Sequence, residues 1–226
     1  MARQERAVRT RSRIVQAAAQ AFRDQGYEGT STTDILKRAE VTRGALYFHF
    51  PSKEAIADAV VEHQIELLPP PVATSSLQRV IDITFRLARA LQDDIVLQAA
   101  VRLAVEETSY HSGRTVPDLW SFQQFSALLQ TAQEAGELLP GVDVEDTATM
   151  VVGAFTGIQL VSQLSHSRRD MLHRVSVFWQ TALPGIAVPG LLMRLDVGAR
   201  RVDELERTDA AEQGRSRSGD ESDVVG

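Results

Sequence analysis

Thirteen residues from Thr42 to Glu54, TRGALYFHFPSKE, gather side chains suited to a phosphate backbone and the base edges beside it. The guanidinium of Arg43 can donate two parallel hydrogen bonds to guanine O6 and N7. Tyr47 and His49 carry a phenol and an imidazole that can donate to phosphate oxygens. Lys53 adds charge at the start of a helix, where free backbone amides already favour anions. Gly44 removes a side chain where backbone must come close to a partner. Each signal has a plain alternative. Arg43 and Lys53 could be solvated charge, and the aromatic residues could be core. Leu46 and Phe50 are expected in the core; Phe48 is left open between the two.

Little else in the chain suggests chemistry. His49, His63, His111, His166 and His173 show no metal-ligand spacing, and with no cysteine there is neither a thiolate zinc site nor a disulfide. No nucleophile elbow or phosphate-binding loop is present. No catalytic residue, metal site or cofactor is expected, and the chain does not read as an enzyme. The basic N-terminus MARQERAVRTRSR is followed by no apolar run of the signal-peptide kind. No run of eighteen apolar residues appears, so no membrane span is expected. A cytoplasmic location fits all of this.

The formal net charge of −6 is unevenly spread. Residues 1–54 hold ten Lys/Arg and six Asp/Glu; residues 55–226 hold fourteen and twenty-four. A basic head on an acidic body suggests a polyanionic partner for the head alone.

Periodicity predicts an all-α chain. Ile14, Ala18, Ala21 and Phe22 form one stripe of a helix over 10–25, stopped by Gly26. Ser31 and Asp34 have capping-box spacing at the start of a second helix. Thr42 caps a short third helix that ends near Phe50-Pro51, and Ser52 caps a fourth. Two short helices joined by a tight turn are a helix-turn-helix, whose second member presents its N-terminal residues, here Thr42, Arg43, Gly44 and Ala45, to base edges. The Pro- and Ser-rich joint at 68–76 precedes further helices over 75–92, 94–107, 120–135, 143–164, 169–183 and 191–206. Residues 108–120 read as a loop. Apolar residues run around most of helix 143–164, so burial on more than one side is expected, and Gly153 and Gly157 would let another helix approach closely. The expected division is a DNA-binding domain at 1–51, a ligand-binding and dimerisation domain at 52–206 and a disordered tail at 207–226.

The stretch GYEGTSTTDILKRAEVTRGALYFHFPSKEAI (26–56) resembles the DNA-binding domain of the TetR family of bacterial repressors. The shared features are Gly26-Tyr27, the Thr/Ser run, Ile35, the 39–41 turn, Gly44, Tyr47, His49-Phe50 and Lys53. Glu40 departs from the pattern, which has glycine in that turn. The resemblance implies an all-helical homodimer that binds double-stranded operator DNA, with Thr32 and Thr33 joining the residues above at the DNA. It also implies a divergent C-terminal domain that binds a small molecule. Residues 45–64, 83–103 and 115–141 are similar to the γ-butyrolactone receptors of actinobacterial antibiotic pathways. That likeness implies an effector of the γ-butyrolactone, furan or butenolide class. It places Trp120 over the pocket and Gln64 and Thr156 on ligand oxygens, with Phe85 in the wall. The alternative is that Trp120 packs in the core and Thr156 bonds its own helix. A TetR-type regulator of efflux or other metabolism, or a pseudo-receptor for a different hydrophobic ligand, is the other functional reading. No membrane partner is implied.

Overall fold

The structure, a computed structural model, describes residues 2–66, 73, 75–106 and 120–220; side chains are described over the same residues except 2, 3, 63–66, 105 and 211–220. It consists of two compact units, Met1–Pro69 with Asp93–Leu119, and Pro70–Gln92 with Trp120–Gly226. Among the described residues all regular elements are helical, apart from one isolated antiparallel bridge between Leu138 and Ala187.

In the first unit, α1 runs from Ala2 to Gly29 and is broken at Gly26, where φ is 74° and ψ 178°. It starts eight residues earlier than its apolar stripe indicates, because the stripe records only the part with a core to face. Ile14, Ala18, Ala21 and Phe22 are all fully buried, as their spacing predicts. At Gly26 a Cβ would lie 2.7 Å from a Glu106 carboxylate oxygen, so the kink demands glycine for its dihedral and for its neighbour. Helices α2 (Thr32–Ala39) and α3 (Arg43–His49) follow, then α4 (Lys53–Glu66). Ile35, Leu46, Phe50, Ile56 and Val60 close on α1 in one core.

That core corrects the expected domain boundary at 51/52. Ile56, Ala57, Ala59 and Val60 of α4 share it with Val96, Ala99, Ala100 and Leu103 of α6 (Ile95–Val105). A three-helix head leaves one flank of α1 bare, and α4 and α6 cover it.

The second unit begins with α5 (Ser76–Asp93), whose first backbone amides are held by the carboxylate of Glu137. Leu77, Val80, Ile81, Phe85 and Leu91 are buried, as their spacing predicts. Then come α7 (Trp120–Glu134), α8 (Val144–His166) and α9 (Met171–Ala182). Asp143 caps α8 by accepting from the amide of Asp146 at 2.9 Å. Gly136 follows α7 at φ 68°, the left-handed conformation in which glycine stops a helix.

Helix α8 shows burial on one side rather than several: Thr147, Ala148, Val151, Gln159 and Ser162 are buried, while Met150, Leu160, Val161 and Leu164 are exposed. By length and composition it is also apolar enough to cross a bilayer, which the search for an unbroken apolar run did not find.

The C-terminal part differs most from expectation. The helix predicted over 191–206 is two: α10 (Pro189–Leu192) and α11 (Arg201–Asp220), separated by residues 193–200. The tail expected to be disordered from 207 is helical to Asp220, and 221–226 lie outside the described residues. Long-range contacts that polar composition does not reveal hold α11 to α5. Arg201 meets the fully buried carboxylate of Asp82 through two bonds of 2.9 Å; Arg86 meets Asp209 at 2.7 Å and Arg89 meets Glu206 at 3.0 Å. Val202 and Leu205 are buried beneath them.

Candidate nucleic-acid interface and effector-binding residues

Helix α3 is held by its caps and by two buried side chains. The preceding helix α2 starts with the capping box at Ser31 and Asp34, whose hydrogen bonds hold the Asp34 carboxyl below the usual carboxylate range. Thr42 Oγ1 accepts from the amide of Ala45 at 3.2 Å, which leaves its O–H to donate outward. Leu46 and Phe50 point into the core, so the opposite face carries Arg43, Gly44, Tyr47 and Phe48 in solvent. The Arg43 guanidinium stands 5.6 Å from the Tyr47 ring centroid, a weak hold on an otherwise exposed group. A Cβ on Gly44 would meet nothing within 4 Å, so any constraint on that position comes from outside the chain. Phe48, left open by the sequence, is 81% exposed. His49 is half-buried between Phe48 and Phe50. Thr32 is half-exposed and Thr33 exposed in the first turn of α2.

Glu40, where glycine was expected, adopts the left-handed conformation that glycine would, with φ 50° and ψ 46°. Arg13 supports the turn from α1, donating to the Ala39 carbonyl at 2.7 Å and lying 3.5 Å from the Glu40 carboxylate.

Lys53 is already engaged within the chain. Its ammonium donates to the carbonyls of Tyr27 and Thr30 at 3.0 and 3.2 Å and lies 4.0 Å from the Tyr27 ring centroid. It closes the carbonyl end of α1 after the Gly26 kink. Burial, followed by the neighbouring Glu54 carboxylate, raises the Tyr27 phenol above its ordinary range. The same segment is held from α6: Glu106 accepts from the Tyr27 amide at 3.1 Å and from Arg102 Nε at 2.6 Å, and Arg102 donates to the Arg23 carbonyl at 2.7 Å. Sequence reasoning missed this clamp; the four-residue spacing of Arg102 and Glu106 was its only trace.

The effector residues fare differently. Phe85 is fully buried in the second unit. Trp120 opens α7 and is half-exposed. Thr156 is half-exposed and donates to the Val152 carbonyl at 2.9 Å, the within-helix bond of the alternative reading; its oxygen can still accept. Gln64 lies in the first unit, and its side chain is outside the described residues. One turn after Thr156, Gln159 is 2% exposed, and its Oε1 has no hydrogen-bond partner among the described residues. A buried acceptor without a donor is costly, and no sequence signal separated this glutamine from surface ones. Another feature is an open groove of about 540 Å3 along α8 and α9, lined by Ala154, Gly157, Val161, His173, Arg174 and Phe178 among others.

Comparison with known proteins is consistent along the chain. Residues 14–60 match the family described as bacterial regulatory proteins, tetR family, and residues 74–189 match the tetracyclin repressor-like C-terminal domain. The A-factor receptor protein of Streptomyces griseus is 39% identical over 215 residues, covering 92% of this chain and 76% of that protein. The crystal structure of full-length native TylP, a TetR regulator from Streptomyces fradiae, superposes with a TM-score of 0.81 at 40% identity, covering 90% of this chain and 98% of the other. A γ-butyrolactone receptor described as ArpA-like superposes with a TM-score of 0.68 at 27% identity, covering 88% and 98%.

Proposed function

Because the chain belongs to the TetR family of bacterial regulatory proteins, a family of transcriptional regulators and not of enzymes, we infer that it is a repressor whose hold on operator DNA is released by a small molecule. The observation that carries the DNA half of this reading is α3. Its inner face is locked by Leu46 and Phe50, and its outer face offers Arg43 and Tyr47 free of ion pairs among the described residues. Arg43 reads a base; Thr32, Thr33, Thr42, Gly44, Ala45, Tyr47 and His49 place the backbone. Lys53 reaches phosphate only if it gives up the Tyr27 and Thr30 carbonyls, so its main work is to hold the hinge after α1. The protein acts in the cytoplasm, where the DNA is.

The effector is a γ-butyrolactone or a related furan or butenolide. The relatives' names point to that class, and Gln159 adds a physical reason. Its buried oxygen, unpartnered among the described residues and three positions after Thr156 on the same helix, is a polar group suited to a small ligand with a few oxygens and an alkyl tail. Trp120 and Phe85, of the same unit, complete the proposed set. The functional form is a homodimer joined through the exposed apolar face of α8 with α9. Met150, Gly153, Gly157, Leu160, Val161 and Leu164 recur there at helical spacing, and a second copy covers them better than lipid does, since α8 buries polar Thr147, Gln159 and Ser162 against its own unit. Two recognition helices must then sit about 34–36 Å apart to enter successive major grooves. Ligand that prefers another spacing draws the population off DNA.

Mobility shift with the region upstream of the chain's own gene tests the reading. A discrete complex that disappears on adding a γ-butyrolactone is the expected result. A complex indifferent to every member of the class would make the protein a pseudo-receptor or an efflux-type regulator. No complex at all would refute the assignment of α3.

A further inference from the structure

Charge along the head is concentrated outside the helix-turn-helix itself. Of the ten basic and six acidic residues in 1–54, five and one fall in residues 1–13, which leaves five and five in 14–54. Three of those five later cations are also engaged internally: Arg23 and Arg38 with Asp24, and Lys53 with two carbonyls. The head's whole positive balance therefore sits on the first turns of α1, ahead of Ile14, the first fully buried residue of the helix.

Those turns are continuous with the recognition unit. Arg13 is bonded to the α2–α3 turn, and the Arg11 guanidinium lies 5.2 Å from the ring centroid of Phe50, the C-cap of α3. Arg9 and Arg6 lie four and seven residues before Arg13, on one helical stripe that runs outward from the turn. Both are exposed, and neither has an ion-pair partner among the described residues. Seven residues of α-helix span about 10 Å, the rise of roughly three phosphates along one strand.

We propose that the N-terminal extension of α1 is a second DNA-contacting element, in which Arg6 and Arg9 neutralise backbone phosphates flanking the bases read by α3. The inference rests on the DNA-binding reading above. It supplies what that reading lacks, a source of the electrostatic share of affinity in a chain of net charge −6. An arm that touches only phosphate adds hold and salt dependence but no base preference.

The test uses the full chain and a duplex selected in vitro by the wild type, which keeps failure of the two readings separate. If the wild type selects no duplex, the repressor reading fails; the arm is judged on the variants. The double substitution Arg6→Gln, Arg9→Gln should leave the thermal midpoint unchanged. It should make the dependence of log K on log salt shallower by about 0.9 for each phosphate that is no longer neutralised, with the same selected sequence. Arg6→Lys, Arg9→Lys should restore the slope, because phosphate accepts a point charge. An unchanged slope overturns the proposal, as does an altered selected sequence. Failure of lysine to restore the slope also overturns it, by pointing to base recognition in the minor groove. Unchanged DNA binding with loss of adsorption to anionic phospholipid vesicles would assign the arm to a membrane surface instead.

Discussion

Arg43 and Lys53 look alike in the sequence, two cations flanking one short helix, but the structure gives them different surroundings. Among the described residues Arg43 has only the Tyr47 ring beside it, so Arg43→Ala should cost ~1–3 kcal/mol on the preferred duplex and relax selection at one position per half-site. Competition binding against single-base variants measures this. Lys53 is tied to two carbonyls and a ring, so Lys53→Met should appear first in urea unfolding, as a loss of about 1–2 kcal/mol. The salt slope should move little. The residue types proposed for the interface could be singled out in the sequence because hydrogen-bonding chemistry is local. The Lys53 bonds were not, because their acceptors are backbone carbonyls 23 and 26 residues away. Gln159 belongs at this scale too. Gln159→Met removes a buried acceptor that has no donor and should raise the ligand-free thermal midpoint. In the same variant, release from DNA should require several-fold more lactone. A lowered midpoint with unchanged release would remove Gln159 from the effector site. Thr156→Val, close to isosteric, should shift release in the same direction by ~0.5–1.5 kcal/mol.

Among the elements, those closed by local signals were the ones sequence could place. Ser31 with Asp34 and Thr42 each cap the helix their spacing announced, Asp143 caps α8, and Gly26 and Gly136 each take the positive φ of a stop. The first turns of α1 and the whole length of α11 escaped, since neither has an apolar stripe along its full span. The first is mostly polar, and the second is pinned by ion pairs to residues more than a hundred positions earlier. Glu40 is the local misfit. A left-handed β-carbon costs roughly 1–2 kcal/mol, and its exposed pairing with Arg13 returns little of that. Glu40→Gly should therefore stabilise the chain by about 1 kcal/mol in urea without altering the selected duplex. A loss of stability would show that the ion pair outweighs the backbone strain.

For the whole molecule, the two-unit division shows what a linear reading conceals. Helix α6 is separated in sequence from the helix-turn-helix yet completes its core, because the flank of α1 needs cover that the first fifty residues do not supply. The proposed effector residues could be suggested only through family likeness, because side chains on distant helices have no shared sequence period. The dimer face is the most direct test at this scale. A Cβ at Gly157 would meet nothing within 4 Å, so arginine enters the open groove of α8 and α9 without a clash at its β-carbon and improves helix propensity. Gly157→Arg should thus give a folded monomer by sedimentation, with weakened operator binding; a persistent dimer would place the interface elsewhere. The bare side of α8 also sets a rule of mass action. If a second copy covers the exposed apolar side of α8, as proposed, the chain is stabilised by its own abundance, so its melting point should climb as the solution is concentrated and fall on dilution. A cell that makes little of this repressor would hold it nearer the edge of unfolding than one that makes much, and scarcity itself would then hasten its removal.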